Sequence, residues 1–126
     1  MLNKNSTGYN IVVGHSGEDL AVKYLLLNKY RILQRNFRCK LGEIDIVAEK
    51  DGVLTFVEVK TRYNLRTGMP AEAVTFTKQQ RIRRIAQYYL QCAGLLNNIP
   101  ILSFDVIEIV FAGESISKFK HYEHCF

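Results

Sequence analysis

A chain of 126 residues, 48% hydrophobic and 23% charged, can bury about two-thirds of its unfolded surface in one core, as a single domain. Its net charge of +5 favours a polyanionic partner. Cys39, Cys92 and Cys125 are scattered and form no CxxC, which excludes a disulfide framework and points to a reduced, cytoplasmic compartment; no secretory signal pattern or membrane-length apolar run is visible, so no membrane partner is expected.

Residues 1–13 are rich in Asn, Ser, Thr and Gly and predict a mobile start ahead of one domain over residues 14–126. Ser16, with Asp19 three positions on, reads as an N-cap with a capping box, which predicts a helix over residues 17–28. Its apolar stripe is Leu20, Ala21, Tyr24, Leu25 and Leu27, with Glu18 at the edge, where the helix dipole favours a carboxylate. Residues 31–39 alternate loosely and read as a first strand. Its Arg31, Arg35 and Arg38 either protect a solvated edge or contact phosphates.

Residues 42–62 read as two strands joined by Asp51-Gly52, a strong hairpin signal because both residues accept positive φ. With Lys50 facing Val53, the same register sets Asp45 opposite Glu58 and Glu43 opposite Lys60. Leu54, Phe56, Glu58 and Lys60 then share one face, and Val53, Thr55, Val57 and Val59 the other. Two largely apolar faces predict a central strand covered on both sides. Opposed carboxylates with Cβ atoms ~4.5–5.5 Å apart repel one another, and their burial adds to the cost. A divalent cation reverses that sign, and converging hard oxygens suit Mg²⁺ or Mn²⁺. Lys60, on the same face as Glu58, is placed to orient or deprotonate an attacking water.

A loop is expected over residues 64–70, which hold Gly68 and Pro70. Leaving the carboxyl end of the second hairpin strand, it overhangs the proposed site, where Arg62, Tyr63 and Arg66 either grip a nucleic-acid strand or are plain surface residues. Thr77 and Gln80 form a second capping box, and a helix follows from Lys78 to Ala93, with Ile82, Ile85, Ala86, Tyr89 and Leu90 as its core stripe and Gly94 as its stop. Arg81, Arg83 and Arg84 take its other faces, while Lys78 lies one turn before Ile82 on the core stripe, near the site. Residues 101–111 predict a strand parallel to the last one of the hairpin, reached by a right-handed crossover. Asp105 on it reads as a hydrogen-bonded structural acid. A short edge strand is expected over residues 115–120, protected by Lys118 and Lys120. His121, His124 and Cys125 in the tail make only a weak transition-metal pattern.

Asp45 followed by Glu58-Val59-Lys60 resembles the D…(D/E)xK signature of the restriction-endonuclease-like, or PD-(D/E)XK, nuclease superfamily, without the proline, since Ile44 precedes Asp45. The fuller set resembles the YraN-type family of bacterial proteins: Gly14-x-x-Gly17-Glu18, Asn36-Phe37-Arg38, Gly42-Glu43-Ile44-Asp45, Phe56 to Arg62, Lys78-x-x-Arg81-Ile82 and Phe104-Asp105-Val106. Where this chain has Ser103, that family usually has Arg. The resemblance implies an α/β fold with a restriction-endonuclease-like αβββαβ core, a mixed sheet of four to five strands with helices on both faces. It also implies that Asp45, Glu58 and the backbone carbonyl of Val59 hold Mg²⁺ or Mn²⁺, that Glu18 completes the set, and that Lys60 serves catalysis.

The reading that follows is a metal-dependent nuclease acting on DNA, including branched or repair intermediates, with Arg35, Arg38, Arg62, Arg66, Lys78 and Arg81 contacting the nucleic acid. A junction-cutting enzyme needs two sites, which makes a homodimer an expectation. The alternative is a nucleic-acid-binding protein that keeps the fold without catalysis. A third reading treats Glu43, Asp45 and Lys60 as a buried ion cluster, a costly arrangement that is rarely a net gain over apolar packing.

Overall fold

A central strand with two apolar faces needs a layer on each side, and two helices supply them. The computed structural model describes residues 6–63 and 74–126, with side chains described from residue 17 onward. Its elements are α1 (Ser6–Leu27), β1 (Arg31–Cys39), β2 (Gly42–Lys50), β3 (Val53–Tyr63), α2 (Phe76–Cys92), β4 (Ile101–Ala112) and β5 (Ser115–Tyr122). The strands form one sheet in the order β1-β2-β3-β4-β5. β3 and β4 are parallel, and the other neighbours are antiparallel. This is the αβββαβ core of the restriction-endonuclease-like fold, with β5 added at one edge.

Alternation along β3 sorts the core into two halves. Leu54 and Phe56 pack with Ile82, Ile85, Tyr89 and Leu90 of α2 and with Phe104 of β4. On the opposite face Val57 packs with Ala21 and Leu25 of α1 and with Ile107 and Ile109 of β4. Each fully buried Val, Leu, Ile or Phe among them contributes about 1.5–3 kcal/mol. Asp51 and Gly52 have φ of 53° and 82°, the left-handed pair the hairpin turn requires.

Both helix starts differ from expectation. α1 begins at Ser6, so Ser16 lies inside it and is not its cap. An N-cap contributes only about 1 kcal/mol, whereas a nucleated helix gains a backbone hydrogen bond for each residue it adds. Residues 6–13, expected to be mobile, belong to α1, and residues 1–5 lie outside the described residues. α2 is capped by Thr75, not Thr77: Thr75 Oγ1 accepts the Lys78 N–H at 3.1 Å. Either threonine can cap; starting at the earlier one adds helix, and Gln79 Nε2 donates back to the Val74 carbonyl at 3.0 Å. At the far end Gly94, with φ 73°, follows the Ala93 cap as expected.

The hairpin is not a uniform ladder. β2 and β3 pair from Lys50–Val53 to Ile46–Val57 and no further. Beyond that point β2 pairs with β1 as far as Cys39–Gly42, and β3 pairs with β4 as far as Tyr63–Phe111. The hairpin therefore forks at Asp45 and Glu58. Ile46 packs under α1 and Ile44 under α2, although residues two apart on a strand normally share a face, so β2 rotates between them. Across from it on β1, between the pairs Arg35–Ile46 and Phe37–Ile44, Asn36 has a φ of 54°, and the ladder shifts register between Ile32 and Gln34. The expected pairing of Glu43 with Lys60 is corrected: Glu43 sits beyond the fork and pairs across to Arg38 of β1, at 3.4 Å.

Candidate active site

The fork opens a cavity of about 310 Å³ between the sheet and α2. Asp45, Glu58, Glu43, Lys78 and Arg81 line it beside Ile44, Phe56, Ile82, Ile85 and Phe126. Asp45 Oδ2 accepts the Val59 N–H at 2.8 Å, so a side chain takes the place of the backbone acceptor where the ladder ends. That bond locks Asp45 against the backbone of the Glu58-Val59-Lys60 segment.

Asp45 is partly buried, and among the described residues no ion pair includes it. Burial raises its pKa, the Val59 N–H pulls it down, and the charges of Glu58, Glu18 and Glu43 push it up again, to about 6. Glu58 is held differently. Lys78 Nζ lies 2.6 Å and Lys60 Nζ 3.6 Å from its Oε2. Burial draws the Lys78 pKa down, but the hydrogen bond and charge of Glu58 outweigh it and leave the ammonium above its usual value. α2 thus reaches the fork through Lys78, while Lys60 reaches it along β3.

Glu18 lies well inside α1, beyond the first turn in which the dipole acts, so the dipole explanation for it fails. Its carboxylate receives Arg35 Nε at 3.0 Å and Asn36 Nδ2 at 3.1 Å. β1 therefore orients Glu18, which is near enough to Asp45 to raise its pKa. The preceding residue explains the approach of α1: a Cβ at Gly17 would collide with the Thr61 side chain.

Among the described residues, four of the five expected to contact nucleic acid are ion-paired to carboxylates. Arg35 is tied to Glu18 and Asp19, and Arg38 to Glu43. Lys78 is tied to Glu58, and Arg62 Nε lies 3.7 Å from Glu108 Oε2. Arg81 lines the cavity. Arg66, like residues 64–73 as a whole, lies outside the described residues.

On the α1 face a second polar cluster is fully occupied. Asp105, 3% exposed, accepts Ser103 Oγ–H at 2.6 Å, His121 Nε2 at 2.7 Å and the His124 N–H at 3.1 Å. Tyr24 Oη lies 2.9 Å from His121 Nδ1, and Ser103 Oγ 3.0 Å from His124 Nδ1. The tail histidines are thus committed to the structural acid, and Cys125 Sγ donates to the Tyr122 carbonyl. Ser103 fills its position with a buried hydroxyl that serves Asp105. The three cysteines are free thiols.

Glu108 was missed. It is 1% exposed, with Lys118 Nζ at 3.0 Å and the Tyr122 hydroxyl at 3.3 Å. A glutamate inside the apolar run of residues 106–111 is the signal that marks it, because a carboxylate there must be paired. Among the described residues no three His, Cys, Asp or Glu side chains form a ready cage for a metal. Two carboxylates beside the Val59 backbone still fit Mg²⁺, which is commonly held by one or two carboxylates and retains waters. Among the same residues no helix is long and apolar enough to cross a membrane.

Fold and site define a class first: a restriction-endonuclease-like domain with two carboxylates and a lysine at a forked hairpin. Residues 17–109 match Uncharacterised protein family UPF0102, and the chain belongs to that family, the YraN-type family of the sequence resemblance. A "UPF0102 protein" of Caldicellulosiruptor saccharolyticus is 48% identical over 97 residues, 77% of this chain and 80% of that relative. One from Clostridium perfringens is 47% identical over 112 residues, 89% of each chain. One from Clostridium botulinum is 47% identical over 98 residues, 78% of this chain and 79% of its own.

Proposed function

We propose that this protein is a metal-dependent nuclease that hydrolyses DNA phosphodiester bonds, with branched or repair intermediates as substrates. One observation carries the reading. Asp45 is a partly buried carboxylate, fixed to the Val59 N–H, with the charges of Glu58, Glu18 and Glu43 acting on it and, among the described residues, no ion-pair partner. Such a group is destabilising unless a cation arrives.

Asp45, Glu58 and the Val59 carbonyl would hold Mg²⁺ or Mn²⁺, with Glu18 joining directly or through water. The metal would supply Lewis acidity and charge neutralisation at the scissile phosphate. Lys60 holds its ammonium beside Glu58, where it orients the attacking water or stabilises charge developing on the phosphate. Arg35 and Asn36 act as positioning residues through Glu18. Asp45 must lose its proton before it ligates, so cleavage rises with pH through about 6.

The test is a panel of plasmid, linear duplex, single strand, flap and four-way junction, each with Mg²⁺, Mn²⁺ or EDTA. Metal-dependent products that vanish with Glu58→Ala and Lys60→Ala support the nuclease, and a fully active Glu58→Ala protein overturns it. A four-way junction calls for two active sites, so a junction-cutting form is expected to be a dimer by light scattering.

One observation favours a second reading, a binding protein without catalysis. The Lys78 ammonium already sits 2.6 Å from Glu58, where a metal must compete with it. Binding to DNA that falls steeply with salt and ignores both Mg²⁺ and Lys60→Ala would select that reading.

A further inference from the structure

We infer that β5 forms the outer half of the nucleic-acid track, with Lys118 and Lys120 carrying the DNA backbone away from the fork across the α2 face of the sheet. This rests on the nuclease reading and extends it to residues beyond the 17–109 family match.

Register places these residues. Lys60 of β3 lies beside Glu108 of β4, and Glu108 opposite Lys120 of β5. One row further, Arg62 lies beside Val110, and Val110 opposite Lys118. Partners in a row share a face, and rows on one face repeat every ~6.6 Å along a strand, with ~4.8 Å between strands. The alternate β5 residues turn the other way: Phe119 and His121 pack on Tyr24 of α1. The lysines are thus segregated onto the face that carries Glu58 and Lys60.

A solvated edge explains loose lysines, and these are not loose. Glu108 is buried and draws Lys118 Nζ to 3.0 Å and Arg62 Nε to 3.7 Å from opposite sides. Its desolvation is tolerable only because those cations are held there. Lys120 Nζ stands 5.3 Å from the Tyr122 ring centroid, and the Tyr122 hydroxyl donates to Glu108. Two cations thus flank one carboxylate, and Lys120, opposite Glu108 in register, adds a third positive charge to the same row. Lys118 and Lys120 are exposed, so their charge is presented to solvent. A preset row of cations leading out of a candidate phosphodiester site suits a polynucleotide backbone, read without regard to sequence.

The test measures fluorescence anisotropy of a labelled DNA duplex and of its single strand in EDTA, across a salt series. The proteins are wild type, Lys118→Gln, Lys120→Ala and the double variant, with Lys23→Ala on the exposed side of α1 as the charge control. Each β5 substitution is expected to weaken binding about 3–10-fold at ~0.1 M salt and to reduce the salt slope by ~0.7–0.9. Lys23→Ala should change neither, and thermal melting checks that every variant is folded. Lys120→Ala keeps Glu108 paired, so it answers even where Lys118→Gln does not fold. If wild type binds and the β5 variants match it in affinity and slope, this inference fails and the nuclease reading stands. If wild type binds no DNA, this inference fails too, and the cleavage panel with Mg²⁺ or Mn²⁺ decides the nuclease reading separately.

Discussion

Two aspartates of one sheet, Asp105 on β4 and Asp45 on β2, have opposite electrostatic surroundings. Asp105 is enclosed by donors; burial alone would raise its pKa, but His121, Ser103 and the His124 N–H outweigh burial and hold it below the usual range. Among the described residues Asp45 has one backbone donor and three carboxylates acting on it, and its pKa rises to about 6. The same residue type, comparably placed in the sheet, is satisfied in one case and frustrated in the other. A satisfied buried acid stabilises the fold, whereas a frustrated one lowers stability and is kept for what it binds.

The largest expected effect comes from exchanging these roles. Asp105→Ala leaves its three donors without an acceptor and should cost about 3–5 kcal/mol, read as a large fall in Tm. Asp45→Asn should leave Tm unchanged or raised while removing cleavage of whichever DNA substrate the panel identifies. An Asp45→Asn protein that melts well below wild type would mean that the contrast is wrong.

The pH dependence should run in opposite directions. An unfolded aspartate titrates near ~3.9, so native Asp45 holds its proton more tightly across the window from about 4 to 6. Its contribution is therefore most favourable below that window and is lost as pH rises through it, by about 2–3 kcal/mol. Asp105 is shifted down, so its contribution is present above ~3.9 and is lost as pH falls through its folded value. Denaturant titrations of wild type and Asp45→Asn from acid to neutral pH check the sign: the variant should lack the loss between about 4 and 6.

Smaller effects follow at the supports. Lys60→Ala should abolish turnover yet shift stability by less than about 1 kcal/mol, because Lys78 remains on Glu58 at the shorter distance. Gly17→Ala gains about 1 kcal/mol of helix propensity but loses about 1–3 kcal/mol through overpacking against Thr61. A slight net loss is expected, reversed when Thr61→Ala is added, and a double-variant melting cycle reads it.

Much of this was legible in the sequence because local rules and the fold agree. Alternation around Asp51-Gly52 gave both faces of β3, and the stripe through Ile82, Ile85 and Tyr89 gave α2. Ser16 misled because a capping signal is local and weak beside propagation of the helix. The fork was not legible: it depends on Asp45 replacing a backbone acceptor, on a rotation between Ile44 and Ile46, and on positive φ at Asn36, an Asn that sequence alone does not distinguish from an ordinary strand residue. The commitments of Arg35 to Glu18 and of Arg38 to Glu43 also depend on which elements meet, so arginines that read as free phosphate contacts turned out to be ion-paired.

The most direct test is a Mn²⁺ titration followed by thermal melting, at about pH 7.5 and about pH 5, for wild type and Asp45→Asn. A ligand that binds only the folded state stabilises it by about 2.7 kcal/mol at a hundred times its Kd. The frustrated-carboxylate account predicts a clear Tm rise for wild type above the Asp45 pKa of about 6, a much smaller rise below it, and none for the variant. An equal rise in Asp45→Asn, or no rise in wild type at the higher pH, would contradict it.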